Sequence, residues 1–467
     1  MGGLFGIASE TDCVTDLYYG TDYHSHLGTK RGGMAVWNSH GIHRSIHNIE
    51  NSYFRTKFES DLVKFQGNQG IGVISDTDPQ PLIIGSHLGV FGIVTVGRIN
   101  NMDALVRDAF ARKSYFSDTT DGYTNPTEVV AMRICREERF EEGIRNAQDA
   151  IQGSCSMLLL TKEGVYAARD RLGRTPLVIG RRDGALAVTS ETSAFPNLGF
   201  EVEHFLGPGE VVLISPDGWE QRVPPGDRMQ VCAFLWVYYG YPASEYEGIN
   251  VEQVRYNCGA LLARNDDVAV DAVAGIPDSG IGHALGYANA LHVPYRRPFV
   301  KYTPTWPRSF MPQSQQMRDL VARMKLIPVR RLIEGQRLMF CDDSIVRGTQ
   351  LKDHVQILFD RGAREVHMRP ACPTLIHPCI FLNFSTSRST LDLAGRKIIH
   401  ELEGEEDRHL DEYARAGSPR NLAMIDRIRR HLGLTTLKYQ HLEDLVTAIG
   451  LPKERLCTHC WDGSSSY

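Results

Sequence analysis

The chain has 467 residues, 42% of them hydrophobic and 23% charged, and its 51 basic and 56 acidic side chains give a net charge of −5. That length accommodates two or three domains of roughly 100–200 residues, and the composition is that of a globular protein able to build a core in each. Well-mixed charges of both signs offer no field for nucleic acid or an anionic membrane, and no apolar run reaches the ~18 residues that span a bilayer, so neither is expected as a partner.

The opening Met-Gly-Gly-Leu-Phe-Gly lacks the basic stretch of a secretory signal. It also puts Gly6 where a myristoylation site needs Ser or Thr, so the cytoplasm is the expected location. Short strand patterns follow at 70–75, 88–96, 156–160, 164–168, 185–189 and 210–214, divided by turn residues such as Asp183-Gly184. Helical stretches at about 102–112 and 126–137 interrupt them. Residues 1–230 therefore read as an α+β domain of stacked antiparallel sheets flanked by helices. From 231 the pattern changes. A buried strand at 268–276 runs into Pro277-Asp278-Ser279-Gly280, and a small-residue helix follows at 281–291. Strands at 337–341 and 365–369 bracket an amphipathic helix at 350–361 that ends at Gly362. Strands alternating with helices predict a parallel sheet, so 231–467 reads as an α/β domain. Its tail, 385–467, is mostly helical, and 401–417 reads as a charged, solvated segment.

The sharpest motif is the string Cys341-Asp342-Asp343-Ser344-Ile345-Val346-Arg347-Gly348-Thr349 behind the apolar Leu338-Met339-Phe340. A strand ends in two carboxylates, a loop with Gly follows, and a helix begins. In open α/β sheets ligands bind outside the carboxyl ends of strands, and a helix N-terminus offers N–H groups to phosphate. Gly348 permits close backbone approach, and the hydroxyls of Ser344 and Thr349 add donors. Adjacent carboxylates suit the 2′ and 3′ hydroxyls of a ribose. For Asp-Asp alone an acidic helix cap is an equal explanation, but one phosphorylated sugar accounts for the whole string. No Gly-Lys-Ser/Thr with Walker spacing occurs. The turn at Asp278 and Ser279 suits a pyrophosphate and, with Asp342 and Asp343, a Mg²⁺, which prefers oxygen ligands. Lys301, Arg308, Arg323, Lys325 and Arg330 lie between the two loops. Such cations suit a leaving pyrophosphate, although any one of them is as readily solvated surface.

Ten cysteines are scattered along the chain, and only Cys457 and Cys460 are closely spaced. Cys-x-x-Cys with distant partners suits structural zinc, which the spacing alone favours, or a thiolate cluster.

These motifs resemble the glutamine phosphoribosylpyrophosphate amidotransferase family, which transfers nitrogen to 5-phosphoribosyl-1-pyrophosphate (PRPP) in purine biosynthesis. The resemblance spans nearly the whole chain. It is carried by 67–72, Ala168-Arg169-Asp170 through Pro176-Leu177, 207–210, 275–280, 312–326 and above all 341–349. It implies an N-terminal-nucleophile αββα glutaminase domain joined to a type I phosphoribosyltransferase domain, in a dimer or tetramer. Carried over, Asp342 and Asp343 meet ribose and Mg²⁺, Ser279 lies at metal and pyrophosphate, and Ser344 to Thr349 hold the 5′-phosphate. Some members carry a [4Fe–4S] cluster, and the matching positions are Cys232, Cys379, Cys457 and Cys460, which shifts the expectation from zinc to iron–sulfur.

The resemblance breaks in the first domain. The family's nucleophilic N-terminal Cys falls at Gly2, its glutamine-binding Arg at Ser75, its oxyanion Asn at Val96 and its substrate-anchoring Asp at Pro126. Cys13 is internal and has no free α-amine to act as its base. Glutaminase activity is therefore expected to be absent. The nitrogen would come from ammonia, from another amine, or from a separate glutaminase. The alternative is a non-catalytic partner that binds PRPP or a nucleotide and regulates an intact paralogue.

Overall fold

The computed structural model describes the chain apart from residues 1, 118, 121, 265, 303–325, 383–388 and 465–467. Its first half is built on two antiparallel sheets. The seven-stranded sheet runs Glu201–Phe205, Val178–Arg182, Ala185–Thr189, Gly2–Ser9, Gln69–Ser75, Arg31–Asn38, Gly41–Asn48. The six-stranded sheet runs Gly218–Val223, Val211–Ser215, Val165–Ala168, Gly153–Leu160, Gly89–Ile99, Leu82–Ser86. Alternation decides which residues face where. Leu4, Ala8, Ile71 and Val73 meet Val94, Val96, Leu158 and Leu160 between the sheets. Phe5, Ile7, Met34 and Val36 point the other way, onto helices Val14–Asp22 and Phe54–Phe58. Phe91, Ile93 and Leu159 do the same on the far side, onto helices Pro126–Ile134 and Phe140–Ala150. The result is four layers, αββα, as the resemblance implies.

The second half carries a four-stranded parallel sheet in the order Ala272–Gly275, Arg337–Asp342, Glu365–Pro370, Thr436–Leu437. Val273, Met339 and Cys341 face one core with helices Val251–Arg264 and Ile281–Leu291. Ala272, Ala274, Leu338 and Phe340 face another with helices Thr349–Asp360, Ala394–Glu403 and Pro419–Leu432. On the strand Glu365–Pro370 Arg369 forms an ion pair with Asp266, and both side chains are only about 1% exposed. Segment 401–417 is not simply solvated: Tyr413 is 1% exposed and its carbonyl accepts from Asn421 at 2.7 Å, because the short helix Leu410–Ala414 packs on Pro419–Leu432. Among the described residues no helix is long and apolar enough to cross a membrane.

Candidate functional site

Two strand ends meet at the carboxyl edge of the parallel sheet. Ala272–Gly275 pairs in register with Arg337–Asp342, and the amide of Ile276 donates to the Cys341 carbonyl at 3.0 Å. This pairing sets the loop at 277–280 beside the loop at 342–348. The Ser279 hydroxyl donates to Asp343 at 2.7 Å and lies 3.5 Å from Asp342. Ser344 donates to the other Asp343 oxygen at 2.6 Å, and the Asp343 amide donates to Asp342 at 2.9 Å. Burial, followed by the neighbouring Asp343 charge, pushes the Asp342 carboxyl well above the usual carboxylate range. Two carboxylates and a hydroxyl held this closely form an all-oxygen set of the kind a hard divalent cation takes. Gly348 sits at φ +76°, in the left-handed region, and opens the helix Thr349–Asp360.

The predicted loop residues divide by role. Ser344, Gly348 and Thr349 line the turn into the helix. Ile345 is 4% exposed and packs into the core, so its side chain anchors the loop. The Val346 carbonyl accepts from the Ala394 amide at 2.7 Å, and Arg347 reaches Asp392 at 3.4 Å. Lys301 pairs with Asp278, which places a cation at the second loop. Arg308, Arg323 and Lys325 lie outside the described residues. Sequence reading missed Arg255. It is 3% exposed and donates to the carbonyls of Trp236, Tyr238 and Gly240 at 2.9–3.1 Å, fixing the turn that faces Ser279. Its only sequence signal is an Arg within a helix that is otherwise packed on the core.

In the first half Gly2, Ser75, Val96 and Pro126, four positions far apart in sequence, line one cavity of about 180 Å³. Arg98 and Asp78 line it too, so a cation and a carboxylate are present, supplied from positions other than the family's anchors. The strand Gly2–Ser9 runs against Gln69–Ser75 with Gly2 opposite Ser75. A β-carbon at position 2 would lie 2.3 Å from the Ile74 carbonyl oxygen, so the backbone closes on the space a side chain there would need. Cys155, the cavity's cysteine, is held protonated by burial, which pushes its thiol up to about 12, and burial pushes Cys13 up as well.

The four predicted ligand cysteines converge where the halves meet. Cys232 pairs with Cys457 in a parallel bridge. Both Ile376 and His377 donate to the Cys460 carbonyl at 3.1 Å, which brings Cys379 alongside. A hydrogen bond from Cys460 draws the Cys379 thiol down to about 6, and burial pushes Cys232 up. From the first half Arg98 donates to the Cys379 carbonyl at 3.0 Å and Asn100 to the Ile380 carbonyl at 2.7 Å. The guanidinium of Arg174 lies 3.6 Å over the Phe381 ring. Among the described residues no group of three or more His, Cys, Asp or Glu is arranged as a ready metal-binding set. The donor set itself, four thiols in an apolar seam, is of the kind soft metals take.

An αββα layer joined to a parallel sheet, with a loop of paired carboxylates at the sheet's carboxyl edge, defines a two-part architecture. Residues 69–197 match the family described as glutamine amidotransferase domain. The chain is 30% identical over 483 aligned positions to the amidophosphoribosyltransferase of Methanothermobacter thermautotrophicus, covering 99% of this chain and 93% of that one. It is 30% identical over 460 positions to that of Bacillus subtilis, covering 96% and 89%. The solved glutamine PRPP amidotransferase from B. subtilis, complexed with ADP and GMP, superposes with a TM-score of 0.85 at 28% identity, covering 99% of this chain and 96% of that one. The chain belongs to the amidophosphoribosyltransferase family.

Proposed function

We propose that the protein transfers the 5-phosphoribosyl group of PRPP to a nitrogen nucleophile taken from solution. With ammonia the products are 5-phosphoribosylamine and pyrophosphate. The observation that carries this is the meeting of Ser279, Asp342 and Asp343 at 2.7–3.5 Å beside the loop Ser344 to Thr349. In this reading residues 231–467 form the transferase domain and 1–230 a glutaminase-type domain without its chemistry. Asp342 and Asp343 accept from the ribose hydroxyls, the turn at Gly348 and Thr349 holds the 5′-phosphate, and Asp278, Ser279 and Lys301 face the pyrophosphate. Substitution at the anomeric carbon passes through an oxocarbenium-like state, which gains most from positioning and charge neutralisation. A Mg²⁺ held by Ser279, Asp342 and Asp343 would supply part of that neutralisation.

Glutamine is not the nitrogen source in this reading, because the nucleophile's position is Gly2 and the Ile74 carbonyl occupies the space beside it. The Cys232, Cys379, Cys457 and Cys460 seam would hold a [4Fe–4S] cluster, which ties the tail to the contact between the halves. A structural zinc is the other occupant its chemistry allows.

Anaerobically purified protein with PRPP, Mg²⁺ and ammonium should release pyrophosphate. No release above a protein-free control would overturn the transferase reading. Elemental analysis should find about four irons per chain. One zinc and no iron would replace the cluster with a zinc site.

A further inference from the structure

The phosphosugar loops open onto a cavity of about 540 Å³ whose walls come from both halves of the chain. Asp278 and Ser279 form the wall nearest Asp343, while Tyr238, Tyr241, His26 and Asp76 stand across from them. Ammonia needs about the volume of a water molecule, roughly 30 Å³. A cavity in the range of about 300–1,000 Å³ is the size of an organic ligand site.

The lining chemistry narrows the occupant. Tyr238 and Tyr241, 38% and 51% exposed, both line this pocket, beside Asp278 and Ser279. Their turn is rigid, because Arg255 donates to the carbonyls of Trp236, Tyr238 and Gly240. The first half pins the same turn from the other side. Buried Glu191 accepts from the Tyr241 amide at 3.2 Å and lies 2.9 Å from the His26 imidazole, whose ring is 5.5 Å from that of Tyr241. Asp76 is held by the Thr29 amide at 2.6 Å and adds negative charge. Arg255, also in this lining, donates to carbonyls of the turn. Aromatic faces beside a carboxylate are the surroundings a cationic amine prefers.

We propose that this cavity is the acceptor site and that it takes a primary amine carrying an aromatic or similarly flat apolar body. The proposal rests on the transferase reading and names the class of its second substrate. The amine binds as an ammonium ion in the pocket lined by Tyr238, Tyr241 and Asp76. It loses one proton to solvent, and its lone pair forms the bond to the anomeric carbon. The carbon–oxygen bond to pyrophosphate breaks, its electron pair leaves with pyrophosphate, and the second amine proton passes to solvent. The first half thus keeps a use without glutaminase chemistry, as one wall of the acceptor pocket.

The test is pyrophosphate release from PRPP and Mg²⁺ by the full chain, with ammonium chloride or 2-phenylethylamine over a concentration series, and mass spectrometry for the N-ribosyl adduct. The expected result is a kcat/KM at least about tenfold higher for 2-phenylethylamine. Tyr241→Ala and Asp76→Asn, checked for an unchanged melting temperature, should each shrink the ratio of the two. Turnover with ammonium and none better with the amine overturns the acceptor proposal and leaves the transferase reading standing. No turnover with either nucleophile overturns the transferase reading itself.

Discussion

Two cavities in this protein each lie beside strand ends, and their linings differ in kind. At the parallel sheet the two carboxylates sit in a network of hydrogen bonds. Asp343 takes bonds from Ser279 and Ser344, Asp342 takes one from the Asp343 amide, and Gly348 has the left-handed backbone its turn needs. At the αββα layer the frame is the family's, but Gly2, Ser75, Val96 and Pro126 stand where the resemblance implies the reacting and anchoring residues. The cavity lined by Gly2, Ser75, Val96 and Pro126 persists, with a thiol that burial keeps protonated and a backbone carbonyl packed where a nucleophile would project. The layers are held by apolar packing between sheets in which, of these four residues, Val96 alone takes part, so the frame does not depend on the chemistry of the cavity.

The largest expected break in this contrast is at the carboxylates. Asp343→Asn should cut PRPP-dependent pyrophosphate release by more than about 10²-fold, through loss of a charge-assisted acceptor, with the melting temperature nearly unchanged. A stability matching the parent together with full activity would show that the loop is not the site.

The next is a matter of stability. Asp266→Asn leaves the guanidinium of Arg369 buried without its counter-charge, and should lower unfolding free energy by about 3–5 kcal/mol in urea. Ser75→Ala, in the cavity lined by Gly2, should change it by no more than about 1 kcal/mol.

Gly2→Cys sharpens the comparison from the other side. A β-carbon 2.3 Å from the Ile74 carbonyl forces the strand to shift. The variant should lose about 1–3 kcal/mol and gain no glutaminase activity. Glutamate release by this variant would mean that the loss is one residue deep.

A pH dependence is shared by both halves. Burial lowers His24, in the first half, to about 4 and His283, in the second, to about 3. Both are neutral in the fold, whereas the unfolded chain protonates them below about 6.5. The unfolded state then binds more protons, so stability falls as pH drops from about 6.5 toward 4 and 3, and is unaffected by these groups above that range. Urea midpoints across pH 4–8 check this, and His24→Gln should flatten part of the slope.

The strand–loop–helix at 337–349 was legible from an apolar run ending in two carboxylates and a Gly, and the helix Ile281–Leu291 and the strand Ala185–Thr189 carry their own boundaries. The strand Gly2–Ser9 was not legible. All eight of its residues are buried, so it shows no alternation, and its three glycines read as turn. The strand expected over 268–276 is only Ala272–Gly275, since pairing begins where the Asp271 amide reaches the Arg337 carbonyl. The acceptor pocket could not be read at all. His26, Asp76, Tyr241 and Asp278 have no spacing in common and meet only because the halves pack together.

The central claim is that transfer survives and glutamine hydrolysis does not. One preparation should be given PRPP, Mg²⁺ and glutamine, and then ammonium, with glutamate and pyrophosphate measured in the same samples. The account predicts no glutamate above background in either case and pyrophosphate on addition of ammonium. Glutamate formed from glutamine in step with pyrophosphate would contradict it.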